Sequence, residues 1–189
     1  YSCRGCQYCD LRLVEAERGA WDGREDAGLA GVCGDVSKRA AQTLAWATPQ
    51  NWLLDIALDH LTLARCALYA DILQGQPPGI PARRGTETAV AGLRQAGQQD
   101  YLPRGLLTRA WLRHRLNDPD GAAADLTEAQ QIAERGEMKL HLADIHLTRA
   151  RLLQDKEELA KARTLIEEVV AEATGALKTR AQRLLADLG

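Results

Sequence analysis

The stretch Leu107-Thr108-Arg109-Ala110-Trp111-Leu112 decides the fold, because it returns forty residues later as Leu147-Thr148-Arg149-Ala150-Arg151-Leu152. The same offset continues downstream, where Ala122, Leu126 and Ala129 correspond to Ala162, Ile166 and Val169. A unit of two helices has therefore been copied, and an internal repeat of this length is typical of stacked helical arrays. Such arrays are mostly binding scaffolds, so the repeat indicates an architecture more directly than it indicates a partner.

A second pattern marks the later helix of each predicted pair. The spacing Ala-x-x-x-Leu-x-x-Ala occurs at 40/44/47, at 89/93/96 and at 122/126/129, and the last copy has Ala162, Ile166 and Val169. Residues three and four apart lie on one face of a helix, and small Ala side chains let a partner helix approach closely. The sequence therefore predicts about four antiparallel helix pairs.

Glycine and proline divide the chain into predicted elements. Five glycines between Gly19 and Gly34 predict a loop insertion over 14–34, and three prolines predict a second insertion over 74–85. Residues 1–189 are expected to form one domain. The predicted helices are at about 1–13, 35–48, 51–73, 86–97, 103–116, 121–134, 138–153, 157–173 and 176–188.

Composition excludes several classes of function. The hydrophobic share of 46% comes mainly from Ala, Leu and Val with no Phe, which favours packed helices over β-sandwiches. The 24 basic and 26 acidic residues are mixed along the chain, so no basic field exists to attract nucleic acid. No apolar run approaches the roughly 20 residues that span a bilayer. We therefore expect a cytoplasmic protein with neither nucleic acid nor a membrane as its partner.

The first residues also bear on the organisation of the protein. The chain starts at Tyr1, without Met and inside a predicted helix, so we expect it to be a piece of a longer protein. The five cysteines are an odd number, and a helical domain of this size folds without disulfides. Reduced thiols are the expected state.

The repeated residues resemble the tetratricopeptide repeat, which alternates two helices over about 34 residues. In that family a small residue midway in the first helix is followed twelve positions later by a small residue in the second. Ala110 and Ala122 have this separation, and so do Ala150 and Ala162. The resemblance implies an all-α, right-handed α-solenoid of about four helix pairs with a C-terminal capping helix. The first two pairs depart from the family pattern through their longer loops and missing aromatic residues.

Two segments have a narrower resemblance. Residues 98–107 and 136–144 look like the C-terminal repeat region of large bacterial proteins, where the array follows a STAND-type nucleotide-binding signalling module or an effector domain. The resemblance implies a non-catalytic sensor or docking scaffold that needs no cofactor. Its expected partner is a protein or peptide, which includes other domains of the same chain.

The resemblance also implies a partner-binding groove. In tetratricopeptide arrays the first-helix residues six before, three before, one after and four after the small midpoint residue line the concave surface. Transferred to this chain through Ala64, Ala110 and Ala150, these offsets give Arg65, Arg104, Leu107, Trp111, His114, Asp144, Leu147, Arg151 and Gln154. An exposed Trp111 beside arginines would suit the anchoring of a peptide. Alternatively, Trp111 packs against the neighbouring repeat and the arginines are solvated.

A rival interpretation is a metal- or cluster-bearing regulatory domain. Cys3, Cys6 and Cys9 are spaced closely enough to ligate zinc or an iron–sulfur cluster, and Cys33 is the nearest thiol that could complete the set. A continuous helix spreads these three positions over about 120° of its circumference. The simpler alternative is therefore that the cysteines pack as small apolar residues between helices.

Candidate catalytic groups are few. His141, Asp144 and His146 are metal-ligand residue types, but His146 lies away from the helix face that the other two share. Asp59 and His60 form a local pair without a third member. The chain contains no phosphate-binding loop, nucleophile elbow or His-Glu-x-x-His pair. The sequence therefore predicts a protein that is not an enzyme.

Overall fold

The computed structural model describes residues 2–172 and 174–186, and within these residues the fold is all-helical. The predicted all-α class is therefore confirmed. One short 3₁₀ turn covers Thr48–Gln50. The α-helices are α1 (Ser2–Trp21), α2 (Ala27–Ala47), α3 (Leu53–Leu73), α4 (Ile80–Ala96), α5 (Leu102–Arg115), α6 (Pro119–Arg135), α7 (Lys139–Leu153), α8 (Lys156–Glu172) and α9 (Gly175–Ala186). None of the described helices is both long and apolar enough to cross a membrane.

The structure corrects the predicted loop over 14–34. Helix α1 continues to Trp21 and α2 begins at Ala27, so the link between them is only five residues long. A glycine inside a helix costs about 1 kcal/mol relative to alanine, which packing can outweigh. At Gly19 the missing side chain permits a close approach, because an added Cβ would lie 3.0 Å from Leu29 Cδ1. Four of the five glycines that predicted a loop therefore lie within helices, and only Gly23 lies in the link.

The second predicted insertion, over 74–85, is also shorter than expected. Helix α4 begins at Ile80, and Pro81 lies in its first turn, where the missing N–H would have no partner within the helix. The linker is therefore confined to 74–79. It is held to α3 because the Gly79 N–H donates a hydrogen bond to Asp71 Oδ2 at 2.8 Å. The remaining predicted helices are confirmed within the described residues, with ends that differ by one or two residues, and the predicted helix ends at 173 and 188 lie outside the described residues.

Packing follows the repeat pattern. Each helix packs against the next one along the chain, and the odd-numbered helices α1, α3, α5 and α7 also contact one another in series. The repeated small residues lie at these contacts, and Ala89, Ala129 and Ala162 are fully buried. The spacing that predicted the helix pairs therefore marks the small residues at which neighbouring helices pack.

The arginine of the repeated stretch also has a structural role. Arg109 of α5 is buried, and its Nη2 lies 2.7 Å from Asp125 Oδ1 of α6. Its copy, Arg149 of α7, lies 3.4 Å from Glu158 Oε2 of α8. In both repeats the arginine therefore joins the two helices of its own pair.

Candidate binding surfaces

Four of the nine predicted groove residues lie on the surface where α1, α3, α5 and α7 meet. We call this surface the odd-helix face, and it is formed by Asp10, Glu17, Trp21, Arg65, Tyr69, Arg104, Trp111 and Arg151. Three of these side chains, Asp10, Glu17 and Trp21, belong to α1 and were not among the predicted groove residues. Their spacing of seven and eleven residues returns to one side of an α-helix.

Ion pairs join α1 to the arginines of this face. Arg65 Nη1 lies 2.7 Å from Asp10 Oδ1, and Arg65 Nη2 lies 2.7 Å from Glu17 Oε2. Arg104 donates a second hydrogen bond to the carboxylate of Asp10. The Arg65 side chain is only 12% exposed, so its charge depends on these partners. The arginines that the alternative interpretation placed in solvent are therefore bound to α1.

The aromatic part of the face is also engaged. The indole of Trp111 stacks on that of Trp21, with ring centroids 3.7 Å apart and an interplanar angle of 6°. Tyr69 lies 5.3 Å from Trp111, and the Arg151 guanidinium lies 5.2 Å from the centre of the Trp21 ring. Trp111 is 4% exposed and is therefore not the exposed anchor that one interpretation expected. The Trp111 side chain is instead buried, and its indole stacks on an indole of α1.

The other predicted groove residues lie apart from these ionic and ring contacts. Leu107 and His114 are half-buried on α5, whereas on α7 Asp144 is half-buried and Leu147 is buried. Gln154 is exposed at the end of α7, beside a cavity of about 340 Å³. That cavity is lined by Leu147, Ala150, Arg151, Gln154, Asp155, Lys156 and Leu159. The predicted groove is thus filled at α1 and open at the α7–α8 end.

The cysteines lie inside the packing of the first helices. Cys6, Cys9, Cys33 and Cys66 are buried free thiols, and the side chain of Cys3 is outside the described residues. Burial raises the pKa of Cys9 and of Cys33 to about 11, so both stay protonated at neutral pH. In the described part of the chain, no three His, Cys, Asp or Glu side chains are grouped to hold a metal ion.

The histidines of α7 point to different partners. His146 Nδ1 lies 2.7 Å from Glu158 Oε2, whereas His141 Nδ1 lies 3.9 Å from Asp144 Oδ2. Burial acts to raise the pKa of Glu158, but the hydrogen bonds from His146 and Lys161 lower it overall to about 2. The three candidate ligands of α7 therefore do not converge on one point.

A second surface, which we call the end cavity, lies where α1, α2 and the start of α3 meet. Its volume is about 580 Å³. Each helix contributes two residues spaced four apart, which places them on one side of that helix. They are Gly5 and Cys9 of α1, Arg39 and Thr43 of α2, and Asp55 and Asp59 of α3, and the rest of the lining is Ala45, Trp46, Ala47, Pro49, Gln50 and Trp52.

The two carboxyl groups of the end cavity are poorly satisfied. Asp59 Oδ1 accepts a hydrogen bond from Thr43 Oγ1 at 2.7 Å, whereas Asp55 Oδ1 is buried with no hydrogen-bond partner among the described residues. Burial raises the pKa of Asp59 to about 6 and also raises the pKa of Asp55. A polar atom left in this state is costly within a protein. In the sequence Asp59 stands out only through its neighbour His60, because most of the residues that line the cavity with it come from other helices.

No protein-family model, curated protein or solved structure matches this chain. The resemblance to tetratricopeptide repeats and to the repeat regions of STAND-type proteins therefore stays a prediction.

Proposed function

We propose that this chain is a non-catalytic protein-binding module, built as a right-handed α-solenoid, whose odd-helix face binds a helix that carries acidic and aromatic side chains. The copied helix pair and the serial contacts among odd-numbered helices support the solenoid. The contacts between α1 and the odd-helix face support the binding role. In this chain α1 is the resident occupant of the face.

The observation that carries the proposal is the engagement of one helix by three others. Asp10 binds arginines from both α3 and α5, and Trp21 is contacted by side chains from α5 and α7. These partners come from positions that the resemblance to tetratricopeptide repeats implies for partner binding. The face therefore recognises a helix with carboxylates on one side and an indole one to three turns away.

The packing of α1 suits an exchangeable occupant. Its buried residues are mostly small, namely Cys6, Cys9, Leu13, Ala16 and Ala20. Because the hydrophobic contribution scales with apolar area, a helix of this composition gains less from burial than one rich in Leu and Ile. The ion pairs and the indole stack then account for a large share of its specificity.

The proposed module works by competition. A partner helix with the same pattern of charges would bind the odd-helix face when α1 leaves it, and α1 remains joined to α2 through a five-residue link. That link contains Gly23 at a φ of +66°, a conformation that glycine adopts without strain. A partner that binds only the open state shifts the population toward it. In a longer signalling protein this shift would report the presence of the partner.

The experiment supplies the α1 sequence as a separate peptide. The full chain carries D10N, E17Q and W21A, which weaken the resident helix, and a fluorescent peptide of residues 5–22 is titrated into it by anisotropy. We expect the variant chain to bind the peptide at least about tenfold more tightly than the wild-type chain, whose own helix occupies the face. The same peptide with the three substitutions is the matched control. A variant that stays helical and does not bind the wild-type peptide would contradict the proposal.

A further inference from the structure

We propose that the odd-helix face binds α1 of a second copy of this chain, so that two copies exchange their α1 helices and form a dimer. The inference rests on the proposed function, because it names the helix that the same face binds. In the dimer, Asp10, Glu17 and Trp21 of each copy would contact Arg65 and Trp111 of the other.

The second copy carries a helix that fits the face. Within one copy, Asp10 and Glu17 each place a carboxylate oxygen 2.7 Å from a guanidinium nitrogen of Arg65, and the indole of Trp21 stacks on that of Trp111. The α1 helix of another copy has the same side chains at the same spacing. Exchange therefore recreates the contacts that α1 makes with the rest of the chain, and the closed and exchanged forms differ mainly in the link that follows α1.

The structure confines this change to residues 22–25. The Asp26 N–H donates a hydrogen bond to the Leu73 carbonyl of α3 at 2.9 Å, and Asp26 Oδ1 accepts one from the Leu29 N–H at 3.0 Å. The start of α2 is therefore both capped and joined to α3. Residues 22–25 are exposed and lie between this anchor and Trp21, at which α1 ends. Helix α1 can thus move as a unit while α2 and α3 stay packed.

The link also decides how strongly one copy keeps its own helix. A short link holds α1 near the face of the same chain at a high effective concentration, which favours the closed form. A second copy competes when the chains are concentrated or when the closed turn is penalised. The conformation of the link therefore sets the balance between the monomer and the exchanged dimer.

Gly23 is the residue at which this balance can be changed. Its φ is +66°, in the left-handed region that an L side chain rarely adopts. A Cβ at this position would meet no atom within 4 Å, so a substitution acts on the backbone conformation and not through a clash. A residue that disfavours positive φ penalises the closed turn, whereas the open link of the exchanged form leaves φ free.

The test compares chains that differ only at residue 23. The wild type, Gly23→Val and Gly23→Ala are incubated at high concentration, and their dimerisation constants are measured by analytical ultracentrifugation. We expect the constant to rise by about a hundredfold for G23V, because each of the two closed turns is penalised by about tenfold. G23A imposes the same preference with a smaller side chain and should give a smaller rise. Circular dichroism establishes that each variant remains helical.

Gly97→Val is the matched control. Gly97 has a φ of +71°, and a Cβ there would also meet no atom within 4 Å. It follows α4 and is therefore not part of the link after α1. G97V should lose a similar amount of stability and dimerise no more than the wild type. Equal dimerisation of G97V and G23V would overturn the proposal.

A mixture of isotope-labelled and unlabelled G23V chains shows which copy supplies the helix. We expect nuclear Overhauser cross-peaks between the Trp21 ring of one copy and the Trp111 ring of the other, because these rings stack in the closed form. A dimer in which these cross-peaks arise only within one copy would overturn the exchange.

The proposal would also be overturned if G23V and G23A remained helical and dimerised no more than the wild type. These outcomes are separate from the peptide titration. A peptide of residues 5–22 that binds the D10N/E17Q/W21A chain supports the proposed function even where the exchange fails, whereas a peptide that does not bind contradicts the proposed function itself.

Discussion

The odd-helix face and the end cavity are built from similar parts but differ in how those parts are satisfied. Both lie where three or more helices meet, and both contain two carboxyl groups and two indoles. On the odd-helix face Asp10 and Glu17 meet guanidinium groups and the indoles of Trp21 and Trp111 stack on each other. Among the described residues, the carboxyls of the end cavity accept one hydrogen bond, from the hydroxyl of Thr43, and both indoles are about half exposed. The charges and rings of the odd-helix face therefore hold the protein's own helix α1, whereas the end cavity leaves its two carboxyl groups with fewer hydrogen bonds and its indoles more exposed.

The largest effect is expected when a buried aromatic side chain of the odd-helix face is removed. Trp111→Ala takes a buried indole from between Trp21 and Tyr69 and leaves a cavity. We expect the free energy of unfolding to fall by about 3–5 kcal/mol. Urea denaturation followed by circular dichroism measures the change. Trp52→Ala, in the end cavity, is the control and should lower the free energy of unfolding by less than about 1 kcal/mol. Similar losses for both variants would remove the distinction between the surfaces.

A smaller effect is expected when an arginine that forms ion pairs with α1 is removed from the odd-helix face. Arg65→Met removes one of the two arginines that pair with Asp10 and removes the arginine that pairs with Glu17. Because these groups are partly buried, we expect a loss of about 2 kcal/mol in the free energy of unfolding. Lys38→Met, which breaks an exposed pair with Asp35, should change stability by less than about 0.5 kcal/mol. Equal effects in the two variants would show that the ion pairs of α1 are only surface contacts.

The smallest effect concerns pH and separates the two kinds of carboxyl. Asp59 faces Cys9 of α1, Arg39 and Thr43 of α2 and Asp55 of its own helix. Its pKa is raised from 3.8 to about 6, so the folded state favours the protonated form. Stability is therefore lost as pH rises from about 4 through 6. Asp59→Asn should be more stable than the wild type at pH 7, by about 1 kcal/mol, and the two should converge near pH 4.

Glu158 shows the opposite pKa shift from Asp59. Its pKa in the folded protein is lowered to about 2 by His146 and Lys161 despite its burial. The stability it contributes is present above its ordinary pKa and is lost as pH falls toward 2. Glu158→Gln should therefore be less stable than the wild type at pH 7. Urea midpoints of both variants between pH 4 and 7 measure the two signs. A destabilised Asp59→Asn at pH 7 would contradict the description of the end cavity.

Sequence periodicity predicted the helices well where the spacing of small and apolar residues repeats regularly. The copied stretch at 107–112 and 147–152 located α5 and α7, and the alanine spacing located the helices that follow them. The region 14–34 was misassigned because glycine was treated as a helix breaker. At Gly19 its small size is instead what permits close packing. Local propensity cannot show this, since the reason lies in Leu29 of the next helix.

The two surfaces were predictable to different degrees. The repeat offsets identified Arg65, Arg104, Trp111 and Arg151 as residues of one face, and the structure brings these four to α1. Glu17 and Trp21 were missed because the sequence predicted a loop over 14–34, and Asp10 was missed because the offsets were counted only from Ala64, Ala110 and Ala150. The spacing of Asp55 and Asp59 is visible in the sequence. Their placement opposite Thr43 and Trp46 depends on how α2 packs against α3, which no local pattern specifies.

The most direct test of the central claim is an intermolecular nuclear Overhauser effect between two indoles. The labelled D10N/E17Q/W21A chain lacks its own Trp21, so a wild-type peptide of residues 5–22 supplies the only indole that can replace it. Our account predicts cross-peaks between the peptide's Trp21 ring and the ring of Trp111, because these rings stack in the intact chain. A bound peptide whose indole shows cross-peaks only to other residues would contradict the assignment of the odd-helix face as the binding surface.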